Sequence, residues 1–250
     1  LKNGVKDGPW VSYHRNGQLN IKGTYKDGKP DGPWVSYHDN GQLNKEVTLK
    51  NGVKDGPWVS YHRNGQLNIK GTYKDGKPDG PWVSYHDNGQ LNKEVTLKNG
   101  VKDGPWVSYH RNGQVESQGT YKDGKEDGLW IFYYDNGQLK SKRTYKNSKR
   151  EGYENSYHRN GQVESQGAYK DGKKEGLWIL YYDNGLVSSK GTYKDGLEVS
   201  DSAKSLYRPS LSSPYLDPPK PLLLPDSYTP PSSLTSDALS ELKKLLQENQ

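Results

Sequence analysis

Two short runs of alternating apolar and polar side chains, Trp10–Arg15 and Gln18–Gly23, flank an Asn16-Gly17 dipeptide, and the arrangement returns at a fixed interval along the chain. A period of two marks a half-buried strand, so each run predicts a strand and each pair a β-hairpin. Asn-Gly recurs at 16–17, 40–41, 64–65, 88–89, 112–113, 136–137, 160–161 and 184–185, eight times without exception. Both residue types tolerate positive φ, which predicts a two-residue type I′ turn. Such a turn pairs Arg15 with Gln18, and counting outward pairs His14 with Leu19, Ser12 with Ile21 and Trp10 with Gly23. Trp10, His14, Leu19 and Ile21 then share one face, the indole lying over Gly23, while Val11, Tyr13, Asn20 and Lys22 share the other.

Tryptophan keeps the same beat at 10, 34, 58, 82, 106, 130 and 178, with Glu154 at the one missed position. Residues 1–196 therefore read as one supersecondary unit copied eight times. Between units, the connection Tyr25 to Pro33 holds Gly28, Gly32 and two prolines. It reads as longer than the Asn-Gly turn and as a place where pairing breaks. No helix-period segment separates the strands, which excludes a parallel βαβ design. The predicted fold is all-β: an elongated single antiparallel sheet of eight stacked hairpins, sixteen strands of six residues.

Composition sharpens this picture. Only 29% of the chain is hydrophobic and mean hydropathy is −1.15, values that point towards disorder were it not for 7 Trp and 20 Tyr. Regular aromatics make a thin core feasible, without a large closed interior. Cysteine is absent, which excludes disulfides and thiolate metal sites. Methionine is absent too, so the chain begins without an initiator and a signal peptide cannot be assessed. No apolar run approaches the ~20 residues that span a bilayer. Of the net charge of +6, the repeats hold about +8, dispersed through every unit, which reads as a solvated surface and not as a nucleic-acid footprint.

The segment Y-K-D-G-K-x-D-G-x-W-x-x-Y-x-x-N-G-Q-L of Tyr25–Leu43 resembles MORN repeats, and more closely the bacterial variant in proteins labelled YwqK-family antitoxins. The resemblance covers residues 1–196 and implies an elongated sheet used as a scaffold or binding platform. It brings no reaction, no catalytic residue and no toxin-binding residue. MORN proteins are also linked to phosphoinositide membranes, but this chain lacks the clustered Lys/Arg that would support that link. The unit Tyr145–Ala168 departs from the pattern, with Asn147-Ser148 in its turn and Glu154 for Trp, a loss of ~2–3 kcal/mol of burial. That reads as drift or as a local weak point.

Residues 1–48 and 49–96 are identical, which points to a pair of hairpins as the true periodic unit. The residue before Asn-Gly alternates Arg15, Asp39, Arg63, Asp87, Arg111, Asp135, Arg159, Asp183, which predicts a charge ladder along one edge.

No catalytic constellation emerges, and no cofactor is expected. His14, His38, His62, His86, His110 and His158 form a column whose members are ~10 Å apart, too far for a shared metal. Tyr134 and Tyr182 take the same position, which favours packing. The acids of the K-x-D-G turns are expected there for backbone bonding. What remains is an aromatic ladder: Trp10, Trp34, Trp58, Trp82, Trp106, Trp130 and Trp178, with Tyr13, Tyr37, Tyr61, Tyr85, Tyr109, Tyr133, Tyr157 and Tyr181. It suits a protein partner, with cell-surface carbohydrate as the alternative and nucleic acid disfavoured. Oligomeric state is open. The reading at this level is a non-enzymatic scaffold.

After Gly196 the composition changes. Residues 197–235 are Pro-rich and read as extended or disordered, and 236–250 carry Leu239, Leu242, Leu245 and Leu246 at helical spacing. This tail is expected either to cap the array or to engage a partner.

Overall fold

The computed structural model describes residues 1–2 and 4–199. The predicted helix at 236–250 and the Pro-rich segment beyond residue 199 lie outside the described residues. The rest forms a single open antiparallel sheet of 20 strands in which the chain meanders from each strand to its neighbour. The count exceeds sixteen because two-residue strands such as Lys29–Pro30 and Lys77–Pro78 are set off by bulges. The second strand of each unit is also longer than six residues, as in Leu19–Lys26.

The hairpin exists at every Asn-Gly, but its turn is not type I′. Asn16 keeps an ordinary φ and only Gly17 is left-handed, at 84°. The His14 N–H donates to Gln18 C=O (2.7 Å) and the Gly17 N–H to His14 C=O (3.0 Å), closing a three-residue loop. Asn16 Oδ1 stabilises this loop by accepting the Gln18 N–H at 3.1 Å. Tyr13 consequently pairs with Leu19, where His14 was expected. Asn20 is then the extra residue of a β-bulge, after which Ser12 pairs with Ile21 and Trp10 with Gly23. One added loop residue and one bulge cancel, so the outer register matches the expectation.

The two-residue type I′ turn sits instead at the other end of the strands. Asp27 and Gly28 have φ of 50° and 82°, and Asn51 and Gly52 have 52° and 86°. Lys26 pairs with Lys29 and Tyr25 with Pro30 across it, so the connection is tight where a longer loop was expected. Pairing does break just beyond. The Asp31 N–H reaches Thr24 C=O (2.9 Å), Gly32 turns at φ 81°, and the ladder resumes with Lys22–Val35 and Ile21–Ser36.

Both long edges are stitched from unit to unit. On one, the Gly28 N–H donates to Lys6 C=O (2.9 Å) and the Gly52 N–H to Pro30 C=O (2.7 Å), a step that repeats as far as Gly196 and Lys174 (3.0 Å). Ser148 takes the glycine place at φ 63°, and its Oγ accepts the Glu126 N–H at 3.0 Å. On the other edge, Asn16 Nδ2 donates to Asp39 C=O (2.7 Å) and Asn64 Nδ2 to Asp87 C=O (2.7 Å).

Candidate interaction surface

Trp10 and Trp34 flank Tyr25 on one face. Tyr25 meets both indoles edge-on, at centroid distances of 6.2 and 5.2 Å, and the indoles lie 5.7 Å apart. Trp58, Tyr73 and Trp82 repeat the cluster at 6.3, 5.3 and 5.3 Å, and Trp106, Tyr121 and Trp130 continue it. Edge-to-face pairs add ~0.5–1.5 kcal/mol each beyond burial. The triads recur in every second unit as far as Tyr121 because the tyrosine place alternates Tyr25, Leu49, Tyr73, Leu97. Beyond Tyr121 every such place is Tyr, and Tyr145 meets Trp130 at 6.2 Å but has Glu154 where a second indole would stand. These tyrosines were absent from the expected ladder, although that alternation was a readable signal.

Gly23 lies opposite Trp10 in register, yet it is the next unit's Trp34 that covers it. A Cβ on Gly23 would stand 2.2 Å from the Trp34 ring, and Gly71, Gly119 and Gly167 meet Trp82, Trp130 and Trp178 in the same way. Trp34 Nε1 donates to Thr24 C=O (3.2 Å) and Trp178 Nε1 to Ala168 C=O (3.1 Å). Lysine ammoniums close the clusters from outside: Lys6 sits 4.8 Å from the Tyr25 ring and Lys102 4.3 Å from Trp106. Trp130 and Trp178 are 2% and 3% exposed. The tryptophan row is thus largely taken up by packing.

The tyrosine row lies on the opposite face. Tyr61 donates to Glu46 Oε1 at 2.6 Å, and Glu46 pairs with Val35 and Val59. Tyr109 repeats this with Glu94, while Gln118 and Gln166 donate to Tyr133 and Tyr181. Burial first, and the bond to Glu46 second, push the Tyr61 phenol strongly upward. Val59, Val83 and Val107 are buried along the centre of this face, and Tyr13 stands exposed at its start. The two halves of the ladder therefore cannot form one surface.

The histidine column is a hydrogen-bonding device. His14 Nε2 contacts Tyr37 C=O at 2.9 Å, and His38, His62, His86, His110 and His158 repeat the step at 2.9–3.1 Å. A carbonyl only accepts, so Nε2 carries the proton. Tyr134 does the same work with its hydroxyl, 2.8 Å from Tyr157 C=O. The charge ladder is discontinuous: Arg63 pairs with Asp39, Arg111 with Asp87, and Arg159 with Asp135 at 2.6 Å, always the Asp of one unit with the Arg of the next.

Glu154, expected to leave a loss of burial, is 6% exposed and held between Arg143 (3.2 Å) and Arg150 (3.5 Å). Arg143 occupies the place of Val47 and Val95, so two departures from the pattern compensate each other. Arg143 also lies 4.7 Å over the chain's single phenylalanine, Phe132. Burial raises the Glu154 carboxyl from its ordinary range, with Arg143 and Arg150 pulling it down.

The MORN repeat variant matches at residues 6–27, 30–51, 54–75, 78–99, 102–123, 126–147, 150–171 and 174–195, one match per unit of the sheet. The chain belongs to this family. No curated protein sequence matches it. Among solved structures, it is similar to a TcdB2-TccC3-Cdc42 assembly at 13% identity and TM-score 0.22, covering 76% of this chain and 12% of that one. It is also similar to the TCP10 domain of Danio rerio CPAP, solved with a peptide of STIL, at 15% identity and TM-score 0.26, covering 74% and 99%. A porin-like protein from Bacteroides uniformis follows at 12% and 0.18, covering 76% and 91%. At these scores none carries a structural argument. Among the described residues of this MORN array, no helix is long and apolar enough to cross a membrane.

Proposed function

We propose that this MORN protein is a non-catalytic interaction platform whose tyrosine face receives a protein partner. The observation that carries the reading is the division of labour between faces. Indoles on one side are packed against Tyr25-type rings and glycines, whereas the other side presents tyrosines in a row with ordered hydroxyls. Tyrosine offers a large, stiff, amphipathic contact at low entropic cost, which suits protein docking. An antitoxin that neutralises a toxin is the special case in which that partner is a toxin, and it rests on resemblance.

The test is capture from native cells with the full chain, set against a variant with Tyr37, Tyr85 and Tyr109 changed to Ser. Specific recovery of a protein by the parent, lost in the variant without a change in folding, supports the platform. Quenching of Trp fluorescence by polysaccharides, with no protein recovered, would favour the carbohydrate reading instead.

A further inference from the structure

We infer that the tyrosine face pairs with the same face of a second copy of this chain, about a two-fold axis running along the strand of Val59. The inference rests on the reading of that face as a docking surface and names its occupant. A row of side chains crosses the middle of the face, one per strand: Lys22, Val35, Glu46, Val59, Lys70, Val83 and Glu94, each in register with the next. Charges of alternating sign therefore stand two strands apart, about 10 Å. Among the described residues none of these four makes an ion pair. Lys70 is 6% exposed, its ammonium 5.7 Å from the Tyr85 ring and no carboxylate within ion-pair distance. Glu46 and Glu94 each accept one tyrosine hydroxyl on a single carboxylate oxygen, which leaves the other oxygen for a partner.

Read backwards, Lys-Glu-Lys-Glu becomes Glu-Lys-Glu-Lys. A two-fold rotation about the Val59 strand reverses the row and keeps the strand direction. It sets Glu46 against Lys70 of the second copy and Lys22 against Glu94, and by symmetry the reverse of each. The result is four contacts of opposite charge and none of like charge. The same rotation lays Val59 on Val59, Val35 on Val83, Tyr61 on Tyr61 and Tyr37 on Tyr85, so apolar and aromatic rows meet their own kind. A rotation about the row itself would instead set each lysine on a lysine. Farther along, the row continues with Gln118, Lys142, Gln166 and Lys190, which supply no acid. An axis through Val83 would bring Lys22 onto Lys142, so the charges select the Val59 axis.

The patch is also of the right size. Seven strands at ~4.8 Å by six residues at ~3.4 Å make about 34 by 20 Å, roughly 700 Å² on each copy. A stable interface takes about 800 Å² per partner. Two sheets packed face to face, about 10 Å apart, are an ordinary layer arrangement for a sheet with apolar groups on both sides. The tryptophan face offers no equivalent, because its indoles are already packed on glycines and on Tyr25-type rings.

Such a contact is isologous and closes on itself, so it gives one dimer and no larger series. Sedimentation velocity of the full chain, from micromolar to near-millimolar concentration, tests it, with a monomer–dimer equilibrium expected. Lys22→Glu sets Glu against Glu94 twice and should raise the dissociation constant about tenfold or more. Lys22→Glu/Glu94→Lys restores opposite charges across the axis and should recover the affinity, a rescue that a folding defect cannot produce. The chain has no cysteine, so single cysteines locate the axis. A short bismaleimide should join Pro57→Cys to itself. It should not join Pro33→Cys to itself, because the two copies of that residue stand about 19 Å apart, but should join Pro33→Cys to Pro81→Cys. A monomer at every concentration, indifference to Lys22→Glu, or cross-linking of Pro33→Cys to itself overturns the inference. If the chain is monomeric yet still captures a protein through Tyr37, Tyr85 and Tyr109, the self-pairing alone fails. If it neither dimerises nor captures a protein, the docking face fails with it.

Discussion

At Gly119 a methyl group would stand 2.3 Å from the Trp130 ring. Gly119→Ala should cost about 2 kcal/mol, the price of overpacking a closed contact. Gly191→Ala, which meets only the ends of Glu198 and Tyr193, should cost clearly less, and chemical denaturation of the two variants separates them. Glu154 offers a second test. Arg143→Ala strands a buried carboxylate and should cost roughly 3 kcal/mol at neutral pH, with Arg150 retaining part of the pairing. The folded-state titration of Glu154 lies above its unfolded value. Its contribution to stability is therefore fully present below the unfolded value and is lost as pH rises through the folded one. Removing Arg143 raises that titration further, so the penalty should shrink as pH falls, which melting curves at acid and neutral pH would show. In the sequence, Glu154 was legible as a missing indole. Its compensation by Arg143 was not, because the two residues are 11 apart and meet only through the register of neighbouring strands.

The hairpin as an element was legible throughout, whereas the geometry of its two turns was exchanged. Asn-Gly carries the composition of a type I′ turn, but the Asn16 side chain caps a three-residue loop and a bulge at Asn20 restores the pairing. The type I′ geometry falls on Asp27-Gly28 and Asn51-Gly52; at the first, Pro30 and Pro33 made the connection look open. Asn51→Gly should be neutral or slightly stabilising, since Asn51 already sits at φ 52°. Asn64→Gly should cost about 1 kcal/mol, because it removes bonds to Asp87 C=O and from the Gln66 N–H at an ordinary φ. Equal effects at the two sites would contradict this assignment of turns.

At the scale of the whole molecule, the repeating object is a pair of hairpins. Each pair holds one glycine seat, the first three pairs each make a Trp-Tyr-Trp triad, and the three Asp–Arg ion pairs join one pair of hairpins to the next. The duplication of 1–48 as 49–96 was visible in the sequence, but its physical content needed the cross-strand contacts. In a linear array each unit touches only its neighbours, so stability is set by which junctions survive.

Deleting residues 49–96 or only 49–72 tests this most directly, with denaturant unfolding as the readout. Removing 49–96 keeps every junction of native type and should leave one cooperative transition, its m-value reduced by about a quarter. Removing 49–72 sets Asp39 beside Asp87 and Val47 beside Trp82. That variant, although it retains more of the sheet, should be no more stable than the shorter one. Stability that falls steadily with each hairpin removed, regardless of register, would contradict the account.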